Sequence, residues 1–497
     1  MPRLTEANPF IPGAEKSTTV YQENPKNLSA EVRSTNILDD IASRDIPIEN
    51  MPEAERAIQM NKSEGILREG ISAVERKKIS GEGIISGAKT IAEIKPPERH
   101  DKISEGAVTY VKMQNDAEII NASDSHGNFD MLYRAIADFV KRRERGEDVY
   151  FNYAGDASGG DEIGHILPSI EALAGLQAKY PDRVSIQIGN SDRRGTSLFT
   201  KLLPEIITRF SPELNNFLEK QTGIKKAEFI SSHNITEPKK AGRTDSVFFG
   251  GEFVKIAHAA GIDNLNPHQF NPEHLEDLME GLSGVSEEHG PIKKIKAELK
   301  HMMQAVRPWD QRRAQETYPP QILEEAKKMF TYWQLIDRFL NSQSILTIYE
   351  SETSRVLASH TGSIPNLQAA TYNPREIDAA TWDKIIYPDT GEKPGSVEKF
   401  GADRYKSFTA KYMGTRLSGL LGDEKPTIVL VGHNHSNMTE RIPLDESGDR
   451  FALRVESCVS NHKKRAPEDA SYVKVKLEDL AKNPAEPEKA VEFKKLV

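Results

Sequence analysis

The chain has 497 residues, 37% of them hydrophobic and 28% charged, which suits a soluble protein of two or three domains and excludes a fibre or a wholly disordered chain. Lys plus Arg total 66 against 75 Asp plus Glu, a net charge of -9, so no broad nucleic-acid surface is expected and any basic site must be local. A single cysteine, Cys458, excludes an internal disulfide framework and any cysteine-built zinc or iron-sulfur centre, and fits a reducing, cytoplasmic setting.

From Met1 to about Gly106 there are two aromatics, Phe10 and Tyr21, among many small and charged residues. Little there offsets the entropy of ordering, so residues 1–106 read as a largely disordered N-terminal region with short helices between Ile58 and Ile94. Partner binding by this region is the alternative reading. The opening Met1–Glu6 lacks the apolar core of a signal peptide, and no run of about 18 apolar residues predicts a transmembrane segment.

The pattern changes at Ala107. Strand-like runs follow at Ile119-Ile120, Val149 to Phe151, Val184 to Ile188, Ile345 to Ile348, Val356 to Ala358 and Thr427 to Val431, alternating with helical spacing such as Leu132, Ala135, Ile136, Phe139 and Val140. Residues 107–472 therefore form one α/β domain. Within it, residues 196–342 are mainly helical and read as an inserted cap, with Trp309 and Trp333 as its core. The stretch 473–497, rich in charge and proline, reads as a short helical tail of low order.

Five polar blocks each stand just past a predicted strand: Asp124-Ser125-His126, Gly155-Asp156, Gly189-Asn190-Ser191-Asp192, Ser359-His360 and Gly432-His433-Asn434-His435. Strand ends are where open α/β sheets hold ligands. A glycine before a ligand lets backbone approach an ion closely. The set of carboxylates, imidazoles and an amide, without thiols, suits a pair of divalent ions (Mn, Fe or Zn) sharing one carboxylate rather than a structural zinc. Two ions about 3.5 to 4 Å apart acidify a bridging water and clamp the oxygens of an in-line phosphoryl displacement.

The order of these blocks resembles the calcineurin-like metallophosphoesterase superfamily, which includes the PPP-type serine/threonine protein phosphatases, over roughly Ala117 to Ser460. The resemblance implies a layered β-sandwich flanked by helices. It also implies that Asp124 and His126 hold one metal, that Asp156 bridges, that Asn190, His360 and His433 hold the second, and that His435 returns to the first. His233 is a rival for the lone histidine; the strand before His360 and the glycine after it favour His360.

Two departures from the family pattern bear on catalysis. Ser191 stands where the family has a general-acid His, and a hydroxyl is a far poorer proton donor than an imidazolium. Gly189-Asn190-Ser191-Asp192 is closer to the small phosphodiesterase branch, and Asp192, His435 or a metal-bound water then becomes the expected donor to the leaving group. After Asp156, Gly159 and Gly160 replace the Asp-Arg pair of the PPP enzymes; Arg193 and Arg194 either supply the phosphate clamp, since a guanidinium fork matches phosphate oxygens, or belong to a solvated loop.

The expected activity is that of a dinuclear metal-dependent phosphoesterase acting through a metal-bound hydroxide, with a phosphorylated protein as the first substrate. A small phosphoester substrate, through phosphodiesterase or nucleotide phosphatase chemistry, is the alternative, and a non-catalytic binding scaffold is the third reading. The tails also resemble those of bacterial effectors delivered into host cells.

Overall fold

The computed structural model describes residues 51–79, 83–85, 87–94, 100–158, 166–189, 192, 195–222, 253, 255–257, 259–262, 318–360, 367, 414, 417–433, 437–459 and 471–495. Two sheets carry the domain. The seven-stranded sheet has the order β1-β2-β6-β7-β8-β10-β9 and the five-stranded sheet the order β12-β11-β3-β4-β5. The strands are β1 (Lys102–Glu105), β2 (Val108–Lys112), β3 (Glu118–Ala122), β4 (Val149–Tyr153), β5 (Val184–Ile186), β6 (Leu346–Glu350), β7 (Arg355–Ser359), β8 (Thr427–Val431), β9 (Met438–Pro443), β10 (Phe451–Glu456), β11 (Ser471–Lys476) and β12 (Val491–Lys495).

Alternation along each strand sorts side chains into layers. Ile119, Tyr150, Val473 and Val475 of the smaller sheet meet Val356, Ala358, Ile428, Leu430, Leu453 and Val455 of the larger one in the apolar gap between them. The opposite face of the smaller sheet, with Ile120, Phe151, Tyr153 and Ile186, packs under helices, and that of the larger sheet, with Ile348, Leu357, Val429 and Val431, packs against Ile85, Ile91, Leu417 and Leu421. The result is a layered β-sandwich flanked by helices.

The helices over the smaller sheet are α1 (Glu53–Glu75), α2 (Phe129–Glu144), α3 (Ile166–Lys179), α4 (Gly195–Phe210), α5 (Pro212–Thr222) and α6 (Pro320–Asn341). Leu132, Ala135, Ile136, Phe139 and Val140 form the buried stripe of α2, as their spacing predicts. The described part of the stretch 196–342 is helical, and Trp333, Phe339 and Ile206 lie in the same buried cluster as Phe139 and Phe151. Trp309 and His233 lie outside the described residues.

Two expectations of low order need correction. Residues 53–75 form a full helix with Met60, Leu67, Ile71 and Val74 buried, and β1 follows, so the N-terminal region is not disordered as far as Gly106. Glycine breaks obscured the helix, yet Gly70 is there for contact: a Cβ would sit 3.0 Å from the Phe339 ring and 3.1 Å from Ala174 Cβ. The charged stretch after Ala470 is likewise built in. Strand β11 lies between β12 and β3, antiparallel to both, and a short helix, α7 (Leu477–Lys482), connects it onward.

Lys102 of β1 is buried, its Nζ donating to Pro181 O at 3.0 Å and to Val184 O. Burial pushes its pKa down from 10.5 to about 7, with Asp182 raising it and Lys77 lowering it to a smaller extent. Between about pH 7 and 10 the unfolded chain then binds more protons than the folded one, so stability rises with pH in that window. Lys102→Met should remove this rise, up to about 1.4 kcal/mol per pH unit. Urea melts of both chains at pH 6.5, 8 and 9.5 check it; parallel pH profiles would place the Lys102 proton elsewhere.

Candidate metal centre

Each strand that ends at the rim of the sandwich delivers one polar turn. Strand β3 runs into Asp124 and His126, β4 into Asp156, β5 into Gly189, β7 into His360 and β8 into His433. Backbone bonds tie these turns together: Asp124 N donates to Gly155 O at 2.9 Å, His126 N to Asp156 O at 3.1 Å, and Gly432 N to His360 O at 2.9 Å. The His433 N–H reaches both oxygens of Asp124, 3.0 Å from each.

Asp124, His126 and Asp156 are buried, and one ligand atom from each lies within 4.8 Å of the others. Asp156 faces an imidazole with each oxygen: Oδ2 is 3.8 Å from His126 Nε2 and Oδ1 is 3.4 Å from His360 Nε2. His126 Nε2 is also 3.7 Å from Asp124 Oδ1. The rings of His360 and His433 meet edge to face at 5.3 Å. Thus five of the sequence-predicted ligands converge, while Asn190 and His435 lie outside the described residues.

Both buried imidazoles are oriented from behind. His360 Nδ1 is 2.7 Å from Ala154 O and His126 Nδ1 is 3.2 Å from Ser158 O. A carbonyl accepts only a proton, so Nδ1 carries one in each ring and Nε2 is the nitrogen turned toward the cluster. Nothing in the sequence marks Ala154 or Ser158, since any residue supplies a carbonyl.

Among the described non-glycine residues, positive φ occurs at Asp124 (50°), His126 (46°), Asp156 (61°) and His433 (71°). Such backbone costs free energy and collects at functional sites. The glycines are needed for crowding among ligands: a Cβ on Gly189 would lie 2.1 Å from Asp156 Oδ1, and one on Gly432 would lie 2.4 Å from Asp124 Oδ2. Backbone approaches closely here, and the neighbour it approaches is a carboxylate of the cluster.

Asp192 sits behind the same turn. Its carboxylate accepts from Asp156 N at 2.8 Å, Ser158 N at 2.9 Å and Gly189 N at 3.0 Å. Tyr153 was not singled out by sequence; its Oη lies 2.7 Å from Ser125 Oγ and accepts from Ser125 N at 3.2 Å, bracing the turn between Asp124 and His126. Ser191, Arg193 and Arg194 lie outside the described residues. Cys458 is buried with Sγ 3.9 Å from Asp124 O.

Charge in the cluster is concentrated. Burial, then the neighbouring Asp156 charge, raises Asp192 to about 6, and burial raises Asp124 to about 7 against the pull of His360. Burial opposes the charge on His360, yet the Asp156 carboxylate overrides it and holds the imidazole up to about 10. Asp156 itself is held well below the usual carboxylate range: burial works against ionisation, and the charge and hydrogen bond of His360 outweigh it. Two buried carboxylates, Asp124 and Asp156, with imidazoles whose Nε2 atoms face them, form a donor set that fits hard to borderline divalent cations.

No family model matches the chain and no curated protein matches it. Among solved structures it is similar to a protein serine/threonine phosphatase from Saccharomyces cerevisiae with similarity to human phosphatase PP5, at 9% identity over 84% of this chain and 82% of that one, with a TM-score of 0.33. No described helix is long and apolar enough to cross a membrane.

Proposed function

We propose that the chain is a dinuclear metal-dependent phosphoesterase, and first a phosphatase of phosphomonoesters on protein. The observation that carries the dinuclear reading is Asp156, whose two oxygens face His126 and His360 separately. Asp124, His126, Asp156, His360 and His433, with Asn190 and His435, would hold the ions. When bound, the pair supplies neutralisation of phosphoryl charge and a water acidic enough to act near neutral pH. The protein substrate rests on the PPP-like spacing of the blocks.

The residues divide the remaining work. The carbonyls of Ala154 and Ser158 keep the protons of His360 and His126 on Nδ1. Asp192, with three backbone N–H groups on its carboxylate, positions the turns of Asp156 and Gly189 instead of meeting the leaving group. Arg193 and Arg194 would clamp phosphate oxygens. A phosphodiesterase is the second reading, favoured by the Ser191-Asp192 pair.

The experiment is metal analysis of the purified chain beside hydrolysis of an aryl phosphomonoester and an aryl phosphodiester with added Mn²⁺. Two ions with monoester turnover are expected. Diester turnover alone would select the second reading, and two ions without either activity would favour a scaffold. Ser191→His tests the acid position separately. It should raise turnover of alkyl phosphates, whose leaving groups need a proton, by about 10-fold or more relative to activated aryl phosphates; an unchanged ratio would remove Ser191 from that position.

A further inference from the structure

The facing surfaces of the two sheets change character along their strands. Ile119 and Tyr150 belong to the apolar gap. One pleat repeat nearer the metal centre, on the same face, stand Asn121 and Asn152, side by side in register. Both are fully buried, as are Gln187 beyond β5 and Tyr349 and Thr347 of β6.

These polar groups are bonded to one another across the gap. Tyr349 Oη donates to Asn152 Oδ1 at 2.9 Å, Asn152 Nδ2 to Asn121 Oδ1 at 2.6 Å, and Asn121 Nδ2 to Ser457 Oγ at 2.9 Å. Beside this chain Gln187 Nε2 donates to Thr347 Oγ1 at 2.7 Å. The line ends under the first ligand: Ser123 Oγ donates to Ser457 O, and Val459 N donates to Ser123 O at 3.0 Å. Tyr349, Thr347 and Ser457 come from the larger sheet or its continuation, and the two asparagines from the smaller one.

Such a layer has little to do with gross stability, because buried hydrogen bonds between neutral groups add only about 1 kcal/mol each over their hydrated alternatives. Its effect is geometric. Apolar contacts between two sheets are non-directional and tolerate sliding, whereas hydrogen bonds fix distance and direction to a few tenths of an ångström. The metal centre needs that, since Asp124 and Asp156 ride on one sheet and His360 and His433 on the other, and metal-ligand distances tolerate only about 0.2 Å.

We propose that the Tyr349-Asn152-Asn121-Ser457 chain is a positioning layer that holds the two sheets at the offset the metal pair requires. This rests on the dinuclear reading above. The test uses the full chain, stripped by chelator and titrated with Mn²⁺. Calorimetry gives the number and affinity of ions, and electron paramagnetic resonance gives the exchange coupling between them. Wild type is expected to bind two coupled ions; failure to do so would end the dinuclear reading and the layer's role with it.

With the wild-type pair established, Asn152→Leu combined with Tyr349→Phe should weaken the second ion by at least about 10-fold, the effect of outer partners on metal affinity. The coupled signal should be lost while the metal-free melting temperature stays within a few degrees of wild type. Val455→Ala, which deletes apolar volume from the same gap, should lower the melting temperature yet keep two coupled ions. Wild-type affinity and coupling in the double variant would overturn the proposal, and so would loss of the pair in Val455→Ala, because loosening of any kind would then suffice. If the double variant does not fold, Tyr349→Phe alone should weaken the second ion in the same direction; unchanged affinity there overturns the proposal equally.

Discussion

Asp156→Asn should bind at most one Mn²⁺ and lose phosphoester hydrolysis by more than about 100-fold. Removing an outer partner of a metal ligand already costs 10- to 100-fold in metal affinity or activity, and Asp156 stands in front of two imidazoles. Asparagine keeps the shape and tolerates the φ of 61° at this position, so the change isolates charge and donor type. An amide offers one oxygen and one NH₂, and the NH₂ repels any cation placed beside His126 or His360. The metal-free variant should melt lower than wild type, because the Asp156 carboxylate is the partner that holds His360 charged, and removing one member of a buried ion pair destabilises. Added Mn²⁺ should raise the melting temperature of wild type and leave the variant nearly unmoved. Calorimetry, melting and turnover on one preparation check all three, and two tightly bound ions in the variant would remove Asp156 from the bridging position.

Ending the chain after Ala470 should abolish folding. The lost segment contributes β11, which pairs with β3 from Glu118 to Asn121, so the strand leading into Asp124 becomes a bare edge. Val473, Val475, Leu477 and Leu480 are all buried, and at about 1.5–3 kcal/mol each their burial amounts to about 6–12 kcal/mol. That approaches the whole stability of about 5–15 kcal/mol of an ordinary domain. Insoluble expression, or a circular dichroism spectrum without a cooperative melt, is the expected result. A soluble, cooperatively melting truncation would show that the smaller sheet closes without β11. The same result bears on delivery into a host cell, since deleting the last 25 or so residues cuts into β11, and lost transport of such a deletion would report unfolding as readily as a missing signal.

The ligand turns were legible in the sequence because their physics is local. A strand and an acid or imidazole follow one another within a few residues, with a glycine or serine between, and Asp124, His126, Asp156, His360 and His433 each stand just past such a strand. The parts missed depend on partners distant in the chain. Helix α1 carries Gly65 and Gly70 and no aromatics, so its own sequence gives little reason to order. Its helicity is explained by Phe339 and Ala174, more than a hundred residues away. Strand β11 has the alternation Tyr472-Val473-Lys474-Val475-Lys476, a readable period of two, but the charged, proline-containing stretch after it masked the signal. Asp192 shows a third kind of gap. A carboxylate next to a metal-binding block suggests proton transfer, and only its three backbone N–H partners show that both oxygens are occupied.

The left-handed backbone at Asp124, His126, Asp156 and His433 changes how a scan of this centre should be read. Alanine at such a position removes a donor and its contacts while keeping the Cβ that strains the local turn, at about 1–2 kcal/mol, so an inactive alanine variant mixes a lost donor with a displaced loop. Glycine removes the same side chain and accepts the φ without penalty. Glycine variants therefore leave a vacancy with the surrounding turns in place, and an added small donor such as imidazole or formate could fill it. Recovery of metal binding by the free donor in the glycine variant, and its absence in the alanine variant, would separate ligation from loop geometry at each of the four positions.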